Sequence, residues 1–121
     1  MDLEFVRNYC LKKVGSTEDF PFDNTTLVVR IGGKIFALMD TESIPFAVNL
    51  KCNPERAIEL REHYSAIIHG WHMNKKHWNT VTLDQSIPIK ILTGMIDHSY
   101  ELVFNSLKKS DKDEILNNYK G

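Results

Sequence analysis

Residues 26–39 read TLVVRIGGKIFALM, and their interpretation decides the fold. Two runs rich in β-branched and aliphatic residues flank Gly32–Gly33. A two-residue loop of that composition suits a type I′ turn, because both glycines can take positive φ. Pairing across this turn sets Ile31 against Lys34, Arg30 against Ile35, Val29 against Phe36 and Leu27 against Leu38. Leu27, Val29, Phe36 and Leu38 then share a face that must be buried, while Lys34 stands at the hairpin tip in solvent.

Working outward, DLEFVRNYCLKKVG (2–15) places Leu3, Val6, Cys10 and Val14 at helical spacing, with Lys12 and Lys13 in the last turn and Gly15 as a C-cap. A helix is expected over about 2–14. STEDFPFDN (16–24) is turn-rich, with a short edge segment expected around Phe20 and Phe22. IPFAVNLKC (44–52) continues as a third strand through Phe46, Val48 and Leu50. NPERAIELREHY (53–64) opens a helix with Asn53 as N-cap, Pro54 at the first helical position and Glu55 favourable to the helix dipole.

SAIIHGWHM (65–73) and HWNTVTLD (77–84) read as two further strands around a polar connection, Asn74–Lys76. The stretch 86–109 is a long helix opened by Pro88. Ile91, Leu92, Met95, Ile96, Val103 and Leu107 form its apolar stripe, and Lys108 and Lys109 close it. Ser110 to Asp113 resembles a capping box for a short C-terminal helix. The order predicts an α+β domain with a mainly antiparallel sheet covered by helices on one face.

The chain has 121 residues, 42% hydrophobic and 26% charged, with a formal net charge of −1. That is ordinary globular composition for one domain. Two cysteines, Cys10 and Cys52, make no disulfide framework and read as reduced thiols. No export signal is visible at the N-terminus, and no apolar run approaches the roughly 20 residues of a membrane span. A soluble cytoplasmic protein is expected. A net charge near zero argues against a surface that is polyanion-binding throughout. Residues 27–80 nonetheless carry seven basic against five acidic side chains, leaving a local basic face open as a possibility.

The stretch HMNKKHW (72–78) concentrates chemistry-bearing residues in that region. As a metal site it is poor. His69 and His72 point to opposite faces of a strand, and the adjacent lysines repel a cation. As a catalytic centre it lacks a nucleophile elbow, a phosphate-cradling glycine loop and a paired carboxylate. As a grip for nucleic acid it has Lys75 and Lys76 for phosphates, His72 and His77 if protonated, the amides of Asn74 and Asn79, and Trp71 or Trp78 for stacking. Trp78 shares a strand face with Thr80 and Thr82, the side expected to meet solvent, so partial exposure is expected. The competing reading is a solvated turn beside a core indole. On these residues alone both stay open.

Five stretches occur in order: FPFD (20–23), VVRIGGKIFAL (28–38), VNLKCNPERAIELRE (48–62), HMNKKHWNTVTLD (72–84) and MIDHSYELV (95–103). Together they resemble the YjbR/MmcQ family of small bacterial proteins, over residues 1–109, with 110–121 a short helical tail beyond the family core. The resemblance implies a CyaY-like α+β fold and a double-wing arrangement of hairpins labelled DNA-binding. It makes Phe20 and Phe36 core residues, Gly33 the turn and Pro54 a helix start. Lys51, Lys76 and the histidines would then line a groove between wings at 27–38 and 68–83, unless Asp97 neutralises one of the lysines.

The expected function is therefore non-enzymatic DNA binding through Lys34, Lys51, His72, Asn74, Lys75, Lys76, His77 and Trp78, without a metal or cofactor. The alternative is a groove on the sheet face serving a protein, a peptide or a sensed small molecule. Oligomeric state is not legible in the sequence.

Overall fold

The computed structural model describes residues 2–70 and 74–120. In chain order these form α1 (Leu3–Leu11), β1 (Thr17–Asp19), β2 (Thr26–Ile31), β3 (Lys34–Asp40), β4 (Ala47–Lys51), α2 (Pro54–His63), β5 (Ile67–His69), β6 (Trp78–Thr82), α3 (Ile89–Asn105) and α4 (Lys109–Lys120). The six strands make one sheet in the order β1-β2-β3-β4-β6-β5, every neighbouring pair antiparallel. This is the α+β architecture expected.

The Gly32–Gly33 turn forms with both residues at positive φ, 58° and 81°. Ile31 faces Lys34 and Arg30 faces Ile35, as turn geometry requires. Beyond them the register slips: Val29 pairs with Ala37, Val28 with Leu38 and Leu27 with Met39. Phe36 is the extra residue of a β-bulge. The expected inward position of Leu38 is thereby corrected. Phe36, Ala37 and Met39 enter the core, and Leu38 turns to the opposite face, half-buried.

The core lies between this sheet and α1 and α3, with α2 over the β5–β6 end. Asp2 caps α1 by accepting from the Phe5 N–H at 2.9 Å, and Val6 and Cys10 point inward. The helix stops at Leu11, short of the expected Val14. The expected edge segment around Phe20 and Phe22 falls instead at Thr17–Asp19. Pro21 has no N–H to give a ladder, and Phe20, expected in the core, is 49% exposed. Phe36 is fully buried, as expected.

Asn53 caps α2 by accepting from the Glu55 and Arg56 N–H groups, with Pro54 in the first turn. Leu92, Met95, Ile96 and Val103 form the buried stripe of α3, but the helix ends at Asn105 rather than running to Lys109. Leu107 then drops beside Gly32, where a Cβ would meet its Cδ1 at 2.6 Å. Lys109 opens α4, so Ser110 lies inside the helix and forms no capping box. Ile115 of α4 packs on the core beside Gly15 and Ile31, seating the tail on the domain.

Candidate functional site

Three of the singled-out cations meet at one end of the sheet. Lys51, the last residue of β4, lies opposite Trp78, the first of β6. Just beyond that pair the Cys52 N–H donates to the His77 carbonyl at 2.7 Å, so the strand end and the 74–77 turn are stitched together. Lys75 and Lys76 occupy that turn and are exposed. Arg56, near the start of α2, lies close enough to act electrostatically on both Cys52 and His98. Sequence reasoning passed over Arg56. The available signal was its place in the first turn of a helix whose N-cap, Asn53, follows Lys51 directly.

The turn is rigidly built. The Asn74 side-chain oxygen accepts from the backbone N–H of Lys76 at 2.9 Å and of His77 at 3.2 Å, an Asx arrangement. Arg61 reaches from α2 to donate through Nη1 to the Lys75 carbonyl and to Asn79 Oδ1, both at 3.1 Å. Asn79 in turn donates to the Ala57 carbonyl at 3.4 Å. Asn74, Arg61 and Asn79 thus hold the turn in place, and Asn79 is buried and cannot present its amide outward.

Trp78 is 9% exposed. The chain after β5 passes against it: the Gly70 N–H donates to the Trp78 carbonyl at 2.7 Å, and a Cβ at Gly70 would lie 2.7 Å from that of Trp78. The expected partial exposure is therefore corrected, and Trp78 underlies the surface. Lys34 lies on the other side of the sheet, with Nζ 3.4 Å from Ser106 Oγ at the end of α3. His72, with Trp71 and Met73, lies outside the described residues.

Asp97 faces α1. It forms an ion pair with Lys13 and accepts from Tyr9 Oη at 2.8 Å. Burial opposes the Lys13 charge, but its bond to Asp97 and their attraction prevail and raise its pKa. Among the described residues the ion pairs are Arg7–Glu18, Lys13–Asp97, Arg30–Asp19 and Lys109–Asp113. None involves Lys51, Arg56, Lys75 or Lys76.

Beneath this end, α3 bridges β3 and β4 just past their last paired residues, Ala37 and Leu50. Ser99 Oγ donates to the Phe36 carbonyl at 2.6 Å and accepts from the Lys51 N–H at 2.9 Å. Next to it, His98 Nε2 accepts from the Asn53 N–H at 3.1 Å. Burial, then the nearby Arg56, lowers the His98 pKa against the opposing pull of Glu101. Burial pushes the Cys10 thiol up to about 12 and also raises Cys52, so neither is an activated nucleophile. Among the described residues no three His, Cys, Asp or Glu side chains are arranged to hold a metal ion.

The face of the sheet opposite the helices carries a separate groove of about 640 Å³, extending over β2, β3, β4 and β6. Its floor includes Asn49 and Thr80, each 8% exposed, with Thr80 Oγ1 donating to Asn49 Oδ1 at 2.5 Å.

An antiparallel sheet with helices on one side, and a basic end where β4 meets β6, defines a small α+β domain. The YjbR family profile matches residues 11–102. Bacterial relatives align over most of the chain. Escherichia coli O157:H7 YbdF is 37% identical over 79% of this chain and 79% of its own length. Escherichia coli K12 YjbR is 32% identical over 93% of this chain and 95% of its own. Protein DR2400 of Deinococcus radiodurans, which carries a DUF419 domain, superposes with a TM-score of 0.89 at 38% identity, covering 94% of this chain and 87% of that one. A Pseudomonas syringae protein superposes with a TM-score of 0.74 at 28% identity, covering 85% and 99%. The chain belongs to the YjbR family.

Proposed function

We propose that the protein is a non-enzymatic DNA-binding domain whose contact surface is the basic end of the sheet. Lys51, Lys75 and Lys76 touch phosphates, joined by Arg56 and by His77 when protonated. The single observation carrying this reading is that no ion pair among the described residues involves these lysines, although Asp97 is engaged nearby with Lys13. A solvated turn needs no particular scaffold. This one is held by Arg61, Asn74 and the Cys52–His77 backbone bond, a scaffold for the backbone from which Lys75 and Lys76 project. A cytoplasmic setting belongs to the same proposal and agrees with two buried free thiols. Among the described residues no helix is long and apolar enough to cross a membrane.

So few cations give modest affinity dominated by counterion release, falling steeply with salt. Fluorescence anisotropy with a labelled duplex, at several salt concentrations, tests this. Replacing Lys75 and Lys76 together with Ala is expected to flatten the log–log salt slope by about one to two units. An unchanged slope removes both lysines from the interface.

A further inference from the structure

Independently of the basic end, the geometry points to the open-face groove as a binding site for a small organic cation: an ammonium or guanidinium group on an apolar body. The groove's volume, about 640 Å³, falls in the range of small-molecule sites. Phe22, Leu38 and Ala47 give it apolar walls. The exposed Phe22 ring lines the groove and offers an apolar surface to a ligand's body.

Charge selects the rest of the ligand. Asp23 and Asp40 line the groove, and among the described residues no Lys or Arg does. Asp23 is committed to its own turn, accepting from the Thr25 and Thr26 N–H groups at 2.9 and 2.7 Å. Those bonds hold its carboxyl below the usual range, so it is anionic at neutral pH. Asp40 Oδ1 accepts only a backbone bond, from the Glu42 N–H at 2.9 Å, and no described ion pair involves either carboxylate. A phosphate or carboxylate entering here meets two carboxylates that no described ion pair neutralises. A cation meets them favourably while its apolar body covers Leu38 and Ala47. The groove and the basic end therefore select opposite charges.

Three probes sharing an indole ring and differing in charge test this on the wild-type protein: tryptamine, tryptophol and indole-3-acetate. In ¹⁵N–¹H correlation spectra, tryptamine is expected to shift the amides of Leu38, Asp40, Ala47 and Asn49. It is expected to bind about five- to tenfold more tightly than tryptophol, with indole-3-acetate weakest. Asp40→Asn is expected to bring tryptamine close to the tryptophol value, and Ala47→Phe to block all three. Each variant's peak dispersion reports that it is folded. Equal affinity for the three probes, no shifts with any of them, or shifts centred on residues 74–77 would overturn the assignment.

Discussion

Ser99 is a small polar residue on the buried face of a 17-residue helix, and it bridges β3 and β4 just beyond Ala37 and Leu50, where their pairing stops. Removing its hydroxyl leaves the Phe36 carbonyl and the Lys51 N–H without that partner. Ser99→Ala is accordingly expected to cost about 1–3 kcal/mol in urea unfolding. A variant as stable as wild type would mean that the strands close on each other unaided. The neighbouring His98 adds a sensitivity to mild acid. Its folded pKa lies below the ordinary 6.5, so the unfolded chain takes up its proton first as pH falls. Stability from this residue is complete above about pH 6.5 and is lost progressively below it, down through the lowered folded value. His98→Gln is expected to flatten the stability–pH curve just below about pH 6.5. An unaltered slope there assigns the acid response to other groups. Neither role was legible beforehand. Asp97, His98 and Ser99 are consecutive on one helix, yet they address α1, α2 and the β3–β4 junction respectively, and spacing alone does not say which element each will meet.

At the scale of elements, turn chemistry and caps could be read directly, whereas continuations could not. Gly32–Gly33, Asn53 with Pro54, and the stripe from Leu92 to Val103 each carry a local signal strong enough to survive folding. The bulge at Phe36 carries none, since a β-rich run reads the same with or without an extra residue. It moves Leu38 from the core to the groove. The end of α3 failed for a related reason: Leu107 continues the apolar pattern but reaches the core from the loop, next to Gly32. This contact separates the two turn glycines. Gly32→Ala forces a methyl into Leu107 at positive φ and is expected to lower stability by about 2–3 kcal/mol, whereas Gly33→Asn, in open space, is expected to cost under about 1. Equal losses in thermal unfolding would show that Leu107 moves aside freely. Arg61 belongs to this scale too, as the tie between α2 and the 74–77 turn. Arg61→Ala is expected to speed amide exchange at Lys76 and His77 with little change in the β2–β3 hairpin. Uniform exchange changes across both would contradict a local role.

For the whole molecule, charge is segregated on an almost neutral chain. Cations gather where β4 ends and β6 begins, and carboxylates line the open-face groove. The excess of basic residues in 27–80 hinted at this, but composition could not separate Lys34, on the helix side, from Lys51, Lys75 and Lys76. It also gave Trp78 a role as a stacking surface that its burial removes. The central claim is that a duplex meets the basic end and leaves the groove untouched. The most direct test is a ¹⁵N–¹H correlation titration with a short DNA duplex at low salt. The account expects shifts concentrated at Lys51, Asn53–Arg56 and Asn74–His77, reversed by added salt. Shifts centred on Leu38, Asp40 and Ala47, or none at any salt concentration, would contradict it.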